Sequence, residues 1–434
     1  MRKLLLALGT LTAIGAIAAC SADPDATGFG DGGGGSGGGG ASTGTGGGPG
    51  LGGFTSTGGG TSSGGTCDSG DTEDKDKDGW TKVDGDCNDC DPNVNPGAIE
   101  VVNDGSGGGG GAVPSDEDCN GMIDDAPEPC DAALAIDDAD PMGAAKAVEL
   151  CKQAAGPKDW GVTSAKWVLP DGSDPAANVA VNMANFHLGH GNLGAFGPNV
   201  NVQAGSKMLV LSSGTARQPT DPGYMDVGGF DKMYTSLHPQ GFPKESPACG
   251  PDLKTGEPHD GAGVELAIRV PSNAHGFSFN FDFYTYEWPN WICSQYNDFF
   301  VAVLSPIPAN QLDGNISFDS QGNPVSVNNA FVDVCGCGGA NPCLAGGKTY
   351  PCSLGNTELM GTGFGSDTAF GQDHAATSWL QTKAPVEPGA EITIRWAVYD
   401  SGDGVLDSTT LVDNWQWIAE PGTTVGTDPV PDPK

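Results

Sequence analysis

The chain has 434 residues, 71 of them glycine and 32 proline, with 55 acidic side chains against 19 basic ones and a formal net charge of −36 at pH 7. A chain this acidic repels nucleic acid and anionic lipid headgroups, which excludes both as direct partners. The aspartate excess has two compatible meanings, solubility and the binding of divalent cations.

At the start of the chain, Arg2 and Lys3 form a positive n-region, and Leu4 to Ala19 is apolar without charge or proline. That run is shorter than the ~20 residues a membrane span needs, and glycine-rich sequence follows at once, which argues against a retained helix. It ends Ile17-Ala18-Ala19-Cys20, which resembles the bacterial lipobox. The resemblance implies that residues 1–19 are a lipoprotein signal peptide, cut before Cys20, and that the Cys20 thiol carries diacylglycerol. Each acyl CH₂ contributes roughly 0.8 kcal/mol, so several chains anchor stably. Cleaved soluble secretion is the alternative. Ser21 does not match an inner-membrane retention signal, so the expected location is the outer membrane or cell surface, with the membrane engaged through the N-terminal lipid.

Residues 20–66 read as the lipid-bearing cysteine and a tether dominated by Gly, Ser, Thr and Ala, which cannot bury enough apolar surface to fold. Such a coil spans roughly 35–40 Å, enough to clear a headgroup layer. Setting Cys20 aside leaves an even set of cysteines, Cys67, Cys87, Cys90, Cys119, Cys130 and Cys151, then Cys249, Cys293, Cys335, Cys337, Cys343 and Cys352. Export places them where disulfides persist, and two even halves suit two separately bridged regions. Cys87-x-x-Cys90 has no second CxxC or HxxxH beside it, so disulfides are favoured over zinc or redox chemistry.

Residues 67–130 are dense in aspartate and too poor in apolar side chains to form a core, so metal and disulfides must order them. The sharpest constellation is Asp74-Lys75-Asp76-Lys77-Asp78-Gly79-Trp80. Carboxylates at alternate positions converge on one hard cation, Gly79 permits the sharp turn, and the Trp80 carbonyl adds an oxygen. An EF-hand would place a bidentate Glu where Gly85 stands, so this is not one, and Asp84 or Asp86 must close the shell. A second register, Asp84-Gly85-Asp86-Cys87-Asn88 followed by Asp89 and Asp91, leaves room for two ions. Hard oxygen ligands select Ca²⁺ and disfavour copper. The six histidines, His187, His190, His238, His259, His275 and His374, all lie elsewhere. His187-x-x-His190 reads as part of a polar loop rather than half a metal site.

The stretch resembles a metal-binding motif family seen in surface proteins of myxobacteria and related bacteria and named after a copper-binding surface protein. The match runs from Asp74 through Asp86-Cys87-Asn88-Asp89 and Asp91-Pro92, then Asn95-Pro96-Gly97-Ala98-x-Glu100 and Asp104-Gly105, and closes at Asp118-Cys119-Asn120-Gly121 with Asp124. The resemblance implies a Cys87–Cys119 bridge and adds Asp118 to the metal set. Cys90 is extra to the pattern, and a glycine loop at 106–113 splits it.

Residues 131–420 read as one large antiparallel β-sandwich, jelly-roll-like, with one or two short helices. Ala144, Ala147, Val148 and Leu150-Cys151 recur at helical spacing after Asp140-Pro141, predicting a helix over 140–152. Strands are predicted at 264–270, 276–285, 299–304, 391–399 and 405–417, where alternation buries one face. Phe277, Phe279, Phe281 and Phe283 alternate strictly. The tail, 421–434, reads as loose.

Several stretches resemble the choice-of-anchor L family of surface-protein domains. They are 140–152, Met208 to Gly214, 260–304 including Cys293-Ser294-x-x-Asn297-Asp298, Trp379-Leu380-x-Thr382, Pro388-Gly389-x-x-Ile392, Asp400-x-x-Asp403-x-x-x-Asp407-Ser408 and Leu411-x-Asp413-Asn414-Trp415. The resemblance implies a surface β-sandwich without a defined activity.

Glu287, Asp298, Asp400, Asp403, Asp407 and Asp413 admit two readings, a second cation site at one edge of the sandwich or residues that cap turns and strand ends. Trp288 and Trp291 flank a turn, as a packed loop or as an exposed sugar-stacking platform. HExxH is missing from the sequence, the GxSxG matches around Ser36, Ser42 and Ser62 are linker glycines of the tether, and no phosphate-cradling glycine loop precedes a helix. The expected function is therefore non-enzymatic: a Ca²⁺-stiffened stalk presenting a sandwich for adhesion or for binding an extracellular glycan, matrix polymer or surface protein. The alternative is a surface hydrolase acting on polysaccharide or peptide.

Overall fold

Alternating phenylalanines put four rings on one face of a strand, and only an opposing apolar sheet can bury them. The fold is described by a computed structural model covering residues 68–101, 114–250, 252–328, 331–336, 342–366, 372–431 and 433. Cys20, the signal segment, the tether, Cys67 and the glycine loop lie outside the described residues. Those described belong to one unit, Thr61–Lys434.

The strands are β1 (Gly161–Val168), β2 (His190–Leu193), β3 (Met208–Ser212), β4 (Pro258–Arg269), β5 (Gly276–Thr285), β6 (Phe299–Ser305), β7 (Val325–Ser326), β8 (Val334–Cys335), β9 (Cys343–Ala345), β10 (Lys348–Tyr350), β11 (Ala375–Ala376), β12 (Leu380–Pro385), β13 (Glu391–Ser401), β14 (Ser408–Ile418) and β15 (Gly426–Pro429). One antiparallel sheet runs β1-β4-β13-β6-β7, and the other runs β15-β12-β5-β14-β3-β2, with β11 and β8 joined beside β5. The fold is mainly β and sandwich-like, as the alternation predicts.

The core lies between the sheets. Phe277 stacks on Trp415 at 4.2 Å, Phe279 meets Trp396 edge-on at 5.3 Å, and Phe281 packs on Phe300 at 4.9 Å. Val264, Leu266, Ile268, Ile394 and Val398 face them from β4 and β13. Burial of one face only does not hold for β5, which is buried along its whole length. A second cluster, including Phe196, Val210, Phe364 and Trp379, packs around Tyr284 on its other side. Long connections therefore cover a face that alternation alone assigns to solvent.

The predicted helix is shorter than expected. The helix α1 spans Met142–Ala147, and Val148 has already left helical geometry. The Val148 carbonyl, which a continuing helix would use at residue 152, instead accepts from Trp415 N at 3.0 Å. A second short helix, α2, spans Met183–Phe186. Among the described residues no helix is long and apolar enough to cross a membrane.

Four bridges join described cysteines: Cys87–Cys119, Cys130–Cys151, Cys249–Cys293 and Cys335–Cys352. Each stays within its predicted half, and Cys90 and Cys343 are disulfide-bonded as well. The pair His187 and His190 is not the expected polar loop. His190 opens β2 and stacks on Trp167 at 3.6 Å, while His187 Nδ1 lies 3.1 Å from Asp137. Burial drops the His190 pKa to about 3, so the ring is neutral in the fold. Trp288 is fully buried and meets Tyr350 edge-on at 4.4 Å, which makes this turn a packed loop.

A candidate cation centre docked on the sandwich

Short-range hydrogen bonds fold the acidic loop. Asp74 accepts from Lys77 N at 2.7 Å and from Gly79 N at 3.1 Å, Asp76 from Asp78 N at 3.2 Å, and Asp78 from Trp80 N at 2.7 Å. Gly79 sits at φ 94°, a left-handed conformation that glycine adopts without strain. The chain then returns so that Asp86 and Asp89 face the loop. Carboxylate oxygens of Asp74, Asp76 and Asp89 lie within 4.8 Å of one another, and so do those of Asp76, Asp78 and Asp86. The two groups share Asp76.

Asp86 is 4% exposed, and its Oδ2, like the Oδ2 of Asp76, is buried without a hydrogen-bond partner. Burial raises the Asp76 and Asp86 pKa values and lifts Asp78 to about 6, with neighbouring carboxylates adding to the rise. Asp89 is held below the usual range by hydrogen bonds from Ser69 and Lys75 N. An all-oxygen anionic donor set with orphaned buried oxygens fits a hard cation.

Other predicted residues fall elsewhere. Asp84 points to Lys158 at 3.2 Å and to Thr81 Oγ at 3.0 Å, so Asp86 rather than Asp84 faces the cluster. Asp91 accepts from both nitrogens of Asn93, and Asn88 donates its backbone N–H to Asp86. The Trp80 ring packs beside Gly97, with Lys158 Nζ 5.1 Å above it.

Asp118 belongs to a second loop that copies the first. Gly121 N donates to Asp116 at 2.9 Å, Asn120 N to Asp118 at 3.0 Å, and Met122 N to Asn120 at 2.7 Å. Gly121 sits at φ 92°. These bonds match those around Asp74, Asp76, Asp78 and Gly79. Glu100 completes the loop from outside, accepting from Asp118 N at 3.1 Å and Asp124 N at 2.8 Å. Its carboxylate groups with Glu117 and Asp124, and also with Asp118 and Asp125. Sequence reasoning missed Asp116, Glu117 and Asp125 as site residues. The signal was present, because Asp116-x-Asp118-x-Asn120-Gly121 repeats the spacing of Asp74-x-Asp76-x-Asp78-Gly79. The Cys87–Cys119 bridge clamps the two loops together.

The acidic segment is docked against the sandwich. Asn95, fully buried, donates from Nδ2 to Asp78 Oδ2 at 2.8 Å and accepts Ser272 Oγ at 2.7 Å through Oδ1. Ser272 N reaches Gly97 O at 2.8 Å, and Asn273 exchanges two hydrogen bonds with the Ile99 backbone. Trp160 Nε1 donates to Ala98 O at 3.0 Å, and Lys158 Nζ to Gly79 O at 2.6 Å. A cleft of about 500 Å³ follows this seam, bordered by Asp91, Asn93, Glu117, Asn273, His275 and Glu420.

The second predicted set divides. Glu287, Asp298, Asp400 and Asp407 are all buried, near the end of β13 and the start of β14. Asp403 is half-buried and accepts from Val405 N at 3.3 Å. Asp413 lies six residues along β14 from Asp407, about 20 Å away. It accepts from Gln203 N at 2.6 Å and Ala204 N at 3.3 Å, a loop-fixing role. Lys232 and Asp260 join the buried group, and nothing in their sequence context signals it.

None of the curated proteins compared with the chain matches it. The choice-of-anchor L domain model matches residues 168–414, from the end of β1 into β14, with the acidic segment lying before the match. That match covers more than half of the sequence, and the chain belongs to the choice-of-anchor L domain family.

Proposed function

We propose that this is a non-enzymatic surface protein, lipid-anchored at Cys20, whose acidic segment binds Ca²⁺ and whose sandwich is presented for adhesion to an extracellular glycan, matrix polymer or partner protein. Family membership supports a surface-anchored role. The observation that carries the Ca²⁺ reading is Asp86, a buried carboxylate with an unpartnered oxygen that is grouped with Asp76 and Asp78. Asp74 and Asp89 stand on the same cluster, and the second loop offers a similar arrangement. Copper lacks its preferred ligands there, since Cys87, Cys90 and Cys119 are disulfide-bonded and the histidines lie outside the segment.

Binding is favoured over hydrolysis by where the carboxylates lie. A glycosidase needs two of them beside a polymer, whereas the closely grouped carboxylates of the sandwich are buried, and at the seam cleft Asp91 is engaged by Asn93 and Glu117 by Ser115 and Val101 N. The seam cleft instead offers acids, amides and an imidazole to a polar ligand.

Calorimetry on the full chain with intact disulfides is expected to show Ca²⁺ uptake, weakened at least ten-fold at its tightest step by Asp86→Ala. Equal uptake by both chains would sink the Ca²⁺ reading. Binding to glycans and surface extracts should be lost in EDTA, and an activity screen run beside it should be silent. Cleavage of a polymer that one carboxylate substitution abolishes would favour the hydrolase. Cys20→Ser should move the protein from the membrane fraction to the soluble one, and retention would contradict the anchor.

A further inference from the structure

Carboxyl groups also collect inside the sandwich, where β13 gives way to β14. Asp298, Asp400 and Asp407 are 1%, 1% and 0% exposed. Asp298 is well provided, accepting from Ser401 N at 3.1 Å and Ser408 Oγ at 2.7 Å. Asp260, whose charge is felt at Asp407, accepts from Lys232 N and, at 3.0 Å, from Tyr234 N. Asp407 is different, because neither of its carboxylate oxygens has a hydrogen-bond partner, while Asp400 lies against the side chains of Ser213 and Asp298. Gly214 lies against Asp407 so closely that a Cβ there would overlap the carboxylate, so glycine keeps that side open. Ser213 Oγ, which accepts from Ser408 N at 2.9 Å, stands beside Asp400.

One buried ammonium faces this group. Lys232 Nζ donates to Ser212 O at 3.0 Å and feels the charges of Asp260, Asp407 and Asp400. It offsets one carboxylate of four. Burying the remaining charges bare is prohibitive, so protons or a cation must neutralise them. Burial, with Asp298 and Asp407 adding to it, holds Asp400 well above the usual carboxylate range, which makes the proton the rival occupant. Protonation alone leaves the carbonyl oxygen of Asp407 without a donor, whereas a cation held by Asp407 satisfies both of its oxygens.

We propose that a Ca²⁺ ion sits in the interior of the sandwich between Asp400 and Asp407, beside Asp298, as a structural site separate from the acidic segment. Ca²⁺ accepts irregular shells of carboxylate and neutral oxygens, which suits a wall that also carries Ser213. Enclosure makes exchange slow, and this separates the site from the more open acidic loops.

The test uses the full chain, prepared in Ca²⁺ with its disulfides intact, unaltered and with Asp76→Asn plus Asp86→Asn to disable the acidic loop. Both are dialysed against EDTA, and metal is counted by mass spectrometry before and after unfolding in guanidinium chloride. One equivalent of Ca²⁺ should survive dialysis in both chains and be released only on unfolding, and Asp407→Asn should abolish it. No retained equivalent in either chain would overturn the proposal. So would an equivalent kept by the unaltered chain and lost in the Asp76→Asn, Asp86→Asn chain, which would place the ion in the acidic segment. If Asp407→Asn does not fold, Asp400→Asn is read the same way. An Asp400→Asn chain at least as heat-stable as the unaltered one and indifferent to Ca²⁺ would show that protons fill the site.

Discussion

Carboxylates repel one another, and the acidic segment brings five of them together with almost no apolar surface to compensate. Two like charges 4 to 5 Å apart repel by about 3 to 4 kcal/mol at an effective dielectric near 20. The oxygens of Asp76, Asp78 and Asp86 fall within that range of one another. Cys87–Cys119 limits how far the two loops can separate. A cross-link does not neutralise charge, however, and only an ion or protons can. Neutralisation is therefore the constraint on any ordered state of the acidic loops.

The same constraint reaches the sandwich through one side chain. Asn95 joins Asp78 to Ser272, and the backbone that follows is pinned by Asn273 and Trp160. Charge neutralisation at Asp78 and docking at Ser272 therefore share a fully buried residue. The seam cleft is formed by both partners, since Asp91, Asn93 and Glu117 come from the acidic segment and Asn273, His275 and Glu420 from the sandwich. If the segment loosens, that cleft loses one wall. On the proposed Ca²⁺ reading, an ion at the loops supports a surface that neither part makes alone.

Much of this was legible in the residues. Period-two patterns located the long strands because each presents its apolar side chains to the opposite sheet, and 276–285 coincides with β5. The extra cover over β5 was not legible, since it comes from connections around Phe196 and Phe364 that carry no period. The helix over 140–152 was overextended because local spacing cannot show that Trp415 takes the Val148 carbonyl. At the site, Asp74, Asp76 and Asp78 were readable from their spacing, and Asp86 needed the return of the chain to distinguish it from Asp84. Glu100 reaches the second loop only in three dimensions. Asp413 looked like a partner of Asp407 in sequence, but the extended strand carries it away to the middle of β14, opposite Asn280.

Hydrogen exchange at the Gly97 and Ile99 amides tests the link between ion and sandwich most directly. Gly97 N is held by Asn95 and Ile99 N by Asn273, both on the path from Asp78. Both amides should exchange markedly faster in EDTA than in Ca²⁺, while Phe279 in the middle of β5 keeps its protection. Equal protection of Gly97 and Ile99 in the two conditions would contradict the account.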